Sequence, residues 1–233
     1  MPSWNISHRR SRIREKRNKR RGWIHRLIIE PLESRRLLAS DFGDAPAPHP
    51  VLLADDGARH DPVGPTLGAN RDTETDGVPS ADATGDNTNG TNDEDGVIFG
   101  TVQVGQATGT VTVNVQGSDA KLDAWVDFNG DGNWGGPGEQ IFAGRDVTVG
   151  ANALSFPIPE EAVAGDTYAR FRLSSAGGLG TKGSAVDGEV EDHQVIINSP
   201  EPATGIFSAP NSINTPVRGP QSVVSADVDG DGD

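Results

Sequence analysis

The sequence contains no cysteine, which excludes a disulfide framework and any thiolate metal site. Aromatic residues amount to 5% of the chain, with a single tyrosine, too few to line an extended sugar-binding groove. The only apolar run of the N-terminal region, Leu27 to Ile29, falls far short of the roughly twenty residues a membrane-spanning helix needs. It is also too short for the apolar middle of an ordinary secretory signal. A Gly-x-Ser-x-Gly nucleophile elbow, a phosphate-binding glycine loop and a zinc-protease helix motif are all missing. The five histidines, His8, His25, His49, His60 and His193, show no paired metal spacing and read as surface residues. Catalysis is therefore not expected, and no catalytic residue is assigned.

Basic side chains are scarce outside the N-terminal head. Residues 1 to 38 hold twelve Lys and Arg against three Glu, whereas residues 39 to 233 hold eight basic and thirty-one acidic side chains. A head of net charge +9 thus precedes a body of net charge −23. Such a body repels phosphates, which argues against nucleic acid as its partner. Its natural partners are cations, because bound calcium or added salt relieves the self-repulsion of a compact acidic chain. A basic head that bound nucleic acid would make the protein intracellular; a head that served in export would place it outside the cell.

What is abundant is glycine, thirty residues of it, with short alternating strands between the turns. Four segments are expected: a basic head over 1–39, an acidic Asp/Gly-rich leader over 40–96, a β-sandwich over 97–198, and a Pro-rich linker with the start of a further unit over 199–233. The leader has almost no alternating apolar pattern, so its expected conformation is coil. Its acidic clusters, Asp55-Asp56, Asp72 to Asp76 and Asp93-Glu94-Asp95, can order around a cation while remaining loop in conformation. Seven short strands are countable from Val97 onward: Val97 to Val104, Thr110 to Gln116, Leu122 to Phe128, Gln140 to Val149, Ala153 to Pro157, Thr167 to Ser174 and Val190 to Ile197. Seven strands in about 100 residues, with regular turn signals, predict an all-β fold, an antiparallel Ig-like β-sandwich with an irregular acidic arm and disordered termini. Val111, Val113 and Val115 should share one face, as should Ala169, Phe171 and Leu173, which leaves Arg170 and Arg172 together on the other face, paired with acidic neighbours.

The strongest chemical signal is Asp127-Phe128-Asn129-Gly130-Asp131-Gly132-Asn133-Trp134. Oxygen side chains at alternate positions followed by a sharp glycine turn can wrap a hard cation such as calcium, which takes six to eight oxygen ligands. The candidate metal ligands are Asp127, Asn129, Asp131, Asn133 and Glu139. The twelfth position of a self-contained calcium loop is Gly138, so Glu139 or a carboxylate from elsewhere must complete the site. Asn-Gly and Asp-Gly also form tight turns without any metal. Glu189 and Glu191 should project from one face of a strand with Val190 toward the core. Arg170 and Arg172 are the favoured neutralisers of this pair, with a shared calcium ion or an exposed acidic edge as alternatives. A glycosidase pair is set aside, since only Trp125, Trp134 and Tyr168 could line a sugar subsite.

Four blocks in order, Trp125 to Gly132, Glu139 to Phe142, Tyr168 to Ser174 and Gly188-Glu189-Val190-Glu191-Asp192, resemble the GEVED domain. Asp41 to Pro46 and Asp93 to Val97 look like the leader that precedes it. The resemblance implies a β-sandwich module of large secreted or surface proteins with no established catalytic activity; His193 stands where tyrosine is more common. Glu30 to Ala39 resembles the LEPR-XLL element at the head of secreted planctomycete proteins, with Ser34 in place of a proline, and implies export. The closing alternation Asp227, Asp229, Asp231 and Asp233 resembles the opening of an FG-GAP or VCBS-type repeat cut short. The expected function is a non-enzymatic, calcium-stabilised interaction or adhesion module, secreted or at the cell surface, whose partner is a surface or matrix protein or a glycan. A carbohydrate-binding appendage of a polysaccharide-degrading enzyme is the alternative.

Overall fold

Alternation of β-branched with polar residues sets the long strands, and glycine and Asx clusters end them. The computed structural model describes Met1 and residues 39–85, 87 and 92–201. The expected export element and repeat start lie outside the described residues. In chain order the strands are β1 (Asp41–Phe42), β2 (Arg59–His60), β3 (Thr66–Leu67), β4 (Val97–Phe99), β5 (Val102–Gln103), β6 (Thr108–Gln116), β7 (Ala120–Val126), β8 (Gln140–Val147), β9 (Gly150–Pro157), β10 (Gly165–Ser174), β11 (Ser184–Ala185) and β12 (Glu189–Asn198). Strands β5, β12, β10, β7 and β8 form a five-stranded sheet in that order. Strand β6 pairs with β9 along one edge and with β3 and β4 along the other.

All seven expected strands are present, and the first is divided. Val97–Phe99 pairs antiparallel with β6, whereas Val102–Gln103 pairs parallel with the end of β12, so the chain passes from one sheet to the other across Gly100 and Thr101. The two sheets share one apolar core. Val111, Val113 and Val115 of β6 meet Leu122, Ala124 and Val126 of β7 and Ala169, Phe171 and Leu173 of β10, with Phe142, Phe156, Val195 and Ile197 between them. Each Val, Leu, Ile or Phe among them contributes about 1.5–3 kcal/mol by leaving water.

The opposite face of the five-stranded sheet is covered too, which alternation alone did not reveal. The leader and the loop before β11 lie on it, and β1, β2 and β11 form a small sheet of their own. A second apolar cluster of Ala45, Val51, Trp125 and Trp134 forms there, with Tyr168 against it. Gly43 carries the leader over Arg170 and Asp192 so closely that a Cβ would lie 2.7 Å from Arg170 Nη2. The leader is irregular for most of its length, as expected, but its Asp41, Phe42, Asp44, Ala45, Val51, Ala58, His60 and Leu67 are buried.

Arg170 and Arg172 point into this covered face. Arg170 donates from Nε and Nη2 to Asp192 at 2.7 and 2.6 Å, and from Nη1 to the carbonyls of Pro50 and Thr181. Burial pushes the Asp192 carboxyl up, yet the Arg170 charge and hydrogen bonds outweigh it and hold Asp192 below the usual range. Arg172, expected to have an acidic partner, is instead held by His60 Nε2 at 3.0 Å and by the carbonyls of Gly180, Lys182 and Gly183 at 2.7, 2.8 and 2.8 Å. Because His60 Nε2 accepts from Arg172, its Nδ1 carries the proton and donates to the Asp187 carbonyl at 2.7 Å. Burial, then the Arg172 charge, lowers the His60 pKa to about 3. His49 and His60 are therefore not surface residues but are 6% and 0% exposed, because the leader folds against the sheet.

The register of β12 corrects the reading of the acidic block. Glu189 pairs with Leu173 and Glu191 with Phe171, which puts both glutamates on the inner face and Val190 and Asp192 on the outer face beside the arginines. The arginines do not neutralise them. Glu189 Oε2 accepts the Leu67 N–H at 2.5 Å, and Glu191 Oε1 accepts the Gly96 N–H at 2.8 Å. The other Glu191 oxygen lies 3.0 Å from His193 Nε2, and the His193 ring meets Phe171 and Phe99 edge-on at 6.0 and 6.4 Å. Both faces of β12 are buried here, so apolar character could not decide which one meets the core.

Candidate metal centre

Asp127 follows directly on β7 and is clamped to β10: its N–H donates to the Tyr168 carbonyl at 3.0 Å and its carbonyl accepts the Thr167 hydroxyl. From there a ladder of Asx turns builds the loop. Asp127 Oδ1 and Oδ2 accept the N–H groups of Asp131 and Gly132 at 3.1 and 2.9 Å, and Asn129 Oδ1 accepts the Asp131 N–H at 2.9 Å. Asp131 Oδ1 accepts the Asn133 N–H at 3.0 Å, and Asn133 Oδ1 accepts the Gly135 N–H at 2.7 Å. Such side-chain-to-backbone bonds are why Asx residues replace regular structure here. The chain returns through Glu139, whose carbonyl accepts the Val126 N–H at 2.9 Å and whose Oε2 accepts the Gly136 N–H at 2.5 Å.

The result brings three carboxylates together. Asp127, Asp131 and Glu139 each offer an oxygen within 4.8 Å of the other two. Asp127 and Glu139 are 2% and 1% exposed, while Asp131 faces solvent. Glu139 Oε1 is buried with no hydrogen-bond donor. Burial raises the Glu139 pKa, the Gly136 N–H opposes this, the charges of Asp127 and Asp131 raise it further, and the Asn129 N–H lowers it by the least. A buried carboxylate oxygen beside two others requires a proton or a cation. The donors are all hard oxygens, a set suited to calcium or magnesium rather than to a soft metal.

Of the five residues expected as ligands, Asp127, Asp131 and Glu139 converge. The amide nitrogens of Asn129 and Asn133 point back to Asp131, donating to its Oδ2 at 3.2 Å and its Oδ1 at 2.6 Å, so both side chains brace that carboxylate. Sequence reasoning missed His49, which reaches the site from the leader. Its Nε2 lies 3.3 Å from Asp127 Oδ2, and its ring sits 4.3 Å from that of Trp134 and 5.4 Å from that of Tyr168. No local pattern marks it, since it comes from an irregular segment some eighty residues upstream. Trp125 and Trp134 serve as packing; Trp134 Nε1 donates to the Tyr168 carbonyl at 3.0 Å and its ring lies 4.3 Å from the Arg170 guanidinium.

Residues 121–196 match the family model of the GEVED domain. The matched segment thus runs from β7 into β12 and carries the Asp127 loop, both buried arginines and the Gly188 to Asp192 block. No curated protein and no solved structure matches the chain. The GEVED segment is the larger part of a β-sandwich module, an architecture compatible with a non-enzymatic interaction domain. Among the described residues no helix is long and apolar enough to cross a membrane.

Proposed function

We propose that the protein is a calcium-stabilised interaction or adhesion module, exported by its basic head to the cell surface or beyond and joined there to FG-GAP or VCBS-type repeats, in the manner of planctomycete surface proteins. The observation that carries the calcium reading is the donorless, buried Glu139 Oε1 set beside Asp127 and Asp131. Calcium there acts structurally: it neutralises part of the excess acid and locks the β7–β8 connection to the sheet. The partner is a surface or matrix protein or a glycan. The carbohydrate-appendage alternative is the weaker reading, because Trp125 and Trp134, each 4% exposed, are committed to internal packing.

The test is a thermal melt of the full chain in chelator and in millimolar calcium. Calcium at a hundredfold over its Kd adds about 2.7 kcal/mol, which raises the midpoint by about 5–10 °C for a domain of this size. Glu139→Gln and Asp131→Asn should each remove the share of the calcium-induced rise that this site supplies. An unchanged wild-type midpoint defeats the calcium reading, and recovery of the native protein from the soluble cytoplasmic fraction defeats the surface assignment.

A further inference from the structure

A second group of carboxylates lies in the leader, away from the Asp127 loop. Asp41 of β1, Asp72 after β3 and Asp93 before β4 each offer an oxygen within 4.8 Å of the other two. Asp41 is 0% exposed; its Oδ2 accepts the Val190 N–H at 2.7 Å, and its Oδ1 has no hydrogen-bond donor. Both oxygens of Asp72 are likewise shielded from water without a donor. Behind the group stands Glu189, 0% exposed, with Oε2 on the Leu67 N–H and Oε1 without a donor. Arg71, whose Nη1 donates to the carbonyls of Gly188 at 3.0 Å and Val63 at 3.5 Å, acts on Asp41 and Glu189, and the buried Arg172 charge also reaches Asp41.

Burial first, and then mutual repulsion, drives both Asp41 and Glu189 far above the usual carboxylate range, Glu189 to about 11. The independent geometric fact is that buried oxygens of Asp41, Asp72 and Glu189 lack donors. Three segments, the start of β1 and the stretches after β3 and before β4, converge on this point, the first two joined by the antiparallel Ser40–Glu74 bridge. We infer that a hard divalent cation, of the calcium class, binds among Asp41, Asp72 and Asp93 and pins the leader to β12. This site shares no residue with the Asp127 loop and does not depend on it.

The experiment is calcium titration of the chelated full-length chain by calorimetry, with ion counting by native mass spectrometry, on wild type, Asp72→Asn and Asp131→Asn. Wild type should bind two ions and each variant one, with the lost equivalent weakened at least tenfold. Because Asp72 has no donor to lose, Asp72→Asn should also melt higher than wild type in chelator yet gain less from calcium, a reversal of rank that a merely structural aspartate would not give. Retention of both ions by Asp72→Asn overturns the inference, as does a lower midpoint for that variant in chelator. If Asp131→Asn loses an ion and Asp72→Asn does not, this site falls while the Asp127 site stands; the opposite result sinks the Asp127 site alone.

Discussion

Arg170 and Arg172 stand two residues apart on β10 and satisfy their buried charge in different ways. Arg170 takes the bidentate carboxylate of Asp192, where a charge-assisted pair is strong and orienting. Arg172 takes carbonyl oxygens and the imidazole of His60, and burial together with the neighbouring Arg170 charge lowers its pKa to about 10. His60 can serve as an acceptor only while neutral. Its folded pKa of about 3 lies below the ordinary value of 6.5, so between these limits the unfolded chain binds the proton more readily. The stability His60 contributes is complete above about pH 6.5 and is lost as the pH falls toward 3, by on the order of 1 kcal/mol per pH unit. Urea unfolding in chelator at pH 7, 6, 5 and 4 should show wild type losing stability relative to His60→Gln with that slope. Parallel curves for the two proteins would refute the assignment of the neutral tautomer.

Among the elements, the strands were legible and their cover was not. Strict alternation in β6 and β10 correctly put Val111, Val113 and Val115 on one face and Ala169, Phe171 and Leu173 on one face, because those faces meet the apolar core. The same logic misplaced Val190, since it presumes that the other face meets water, whereas β12 is buried on both sides between core and leader. The Asp127 loop was legible because Asx turns are local. His49 and the Asp41, Asp72 and Asp93 group were not, because they depend on how an irregular chain of Asp, Gly and Pro settles on a sheet. Gly43 is one tight point of that docking. A methyl group there must displace the Arg170–Asp192 pair, so Gly43→Ala should cost about 2–4 kcal/mol. Chemical denaturation checks the loss, and increased hydrogen exchange at the Ala45 N–H, which donates to Asp192 Oδ2 at 2.9 Å, locates it. A loss below about 0.5 kcal/mol would mean that the leader shifts freely.

At the scale of the whole molecule, the acidic body of net charge −23 opposes its own compaction, and two separate carboxylate groups concentrate that opposition at defined points. Diffuse repulsion is screened by any salt, whereas a buried group answers to an ion that can enter it. In chelator, raising sodium chloride from 0.05 to 1 M should therefore lift the melting midpoint by a few degrees, while millimolar calcium should lift it further at far lower ionic strength. Equal effects of the two salts at equal ionic strength would reduce both carboxylate groups to surface charge. The bonds that hold the leader also impose an order of assembly. Asp41 reaches the Val190 N–H and Asp192 reaches the Ala45 N–H across 149 and 147 residues of sequence. As the ribosome releases the chain, the leader emerges before β12 and finds its seat only once β12 has been made, so an emerging chain stays unclosed until almost the whole sandwich is available.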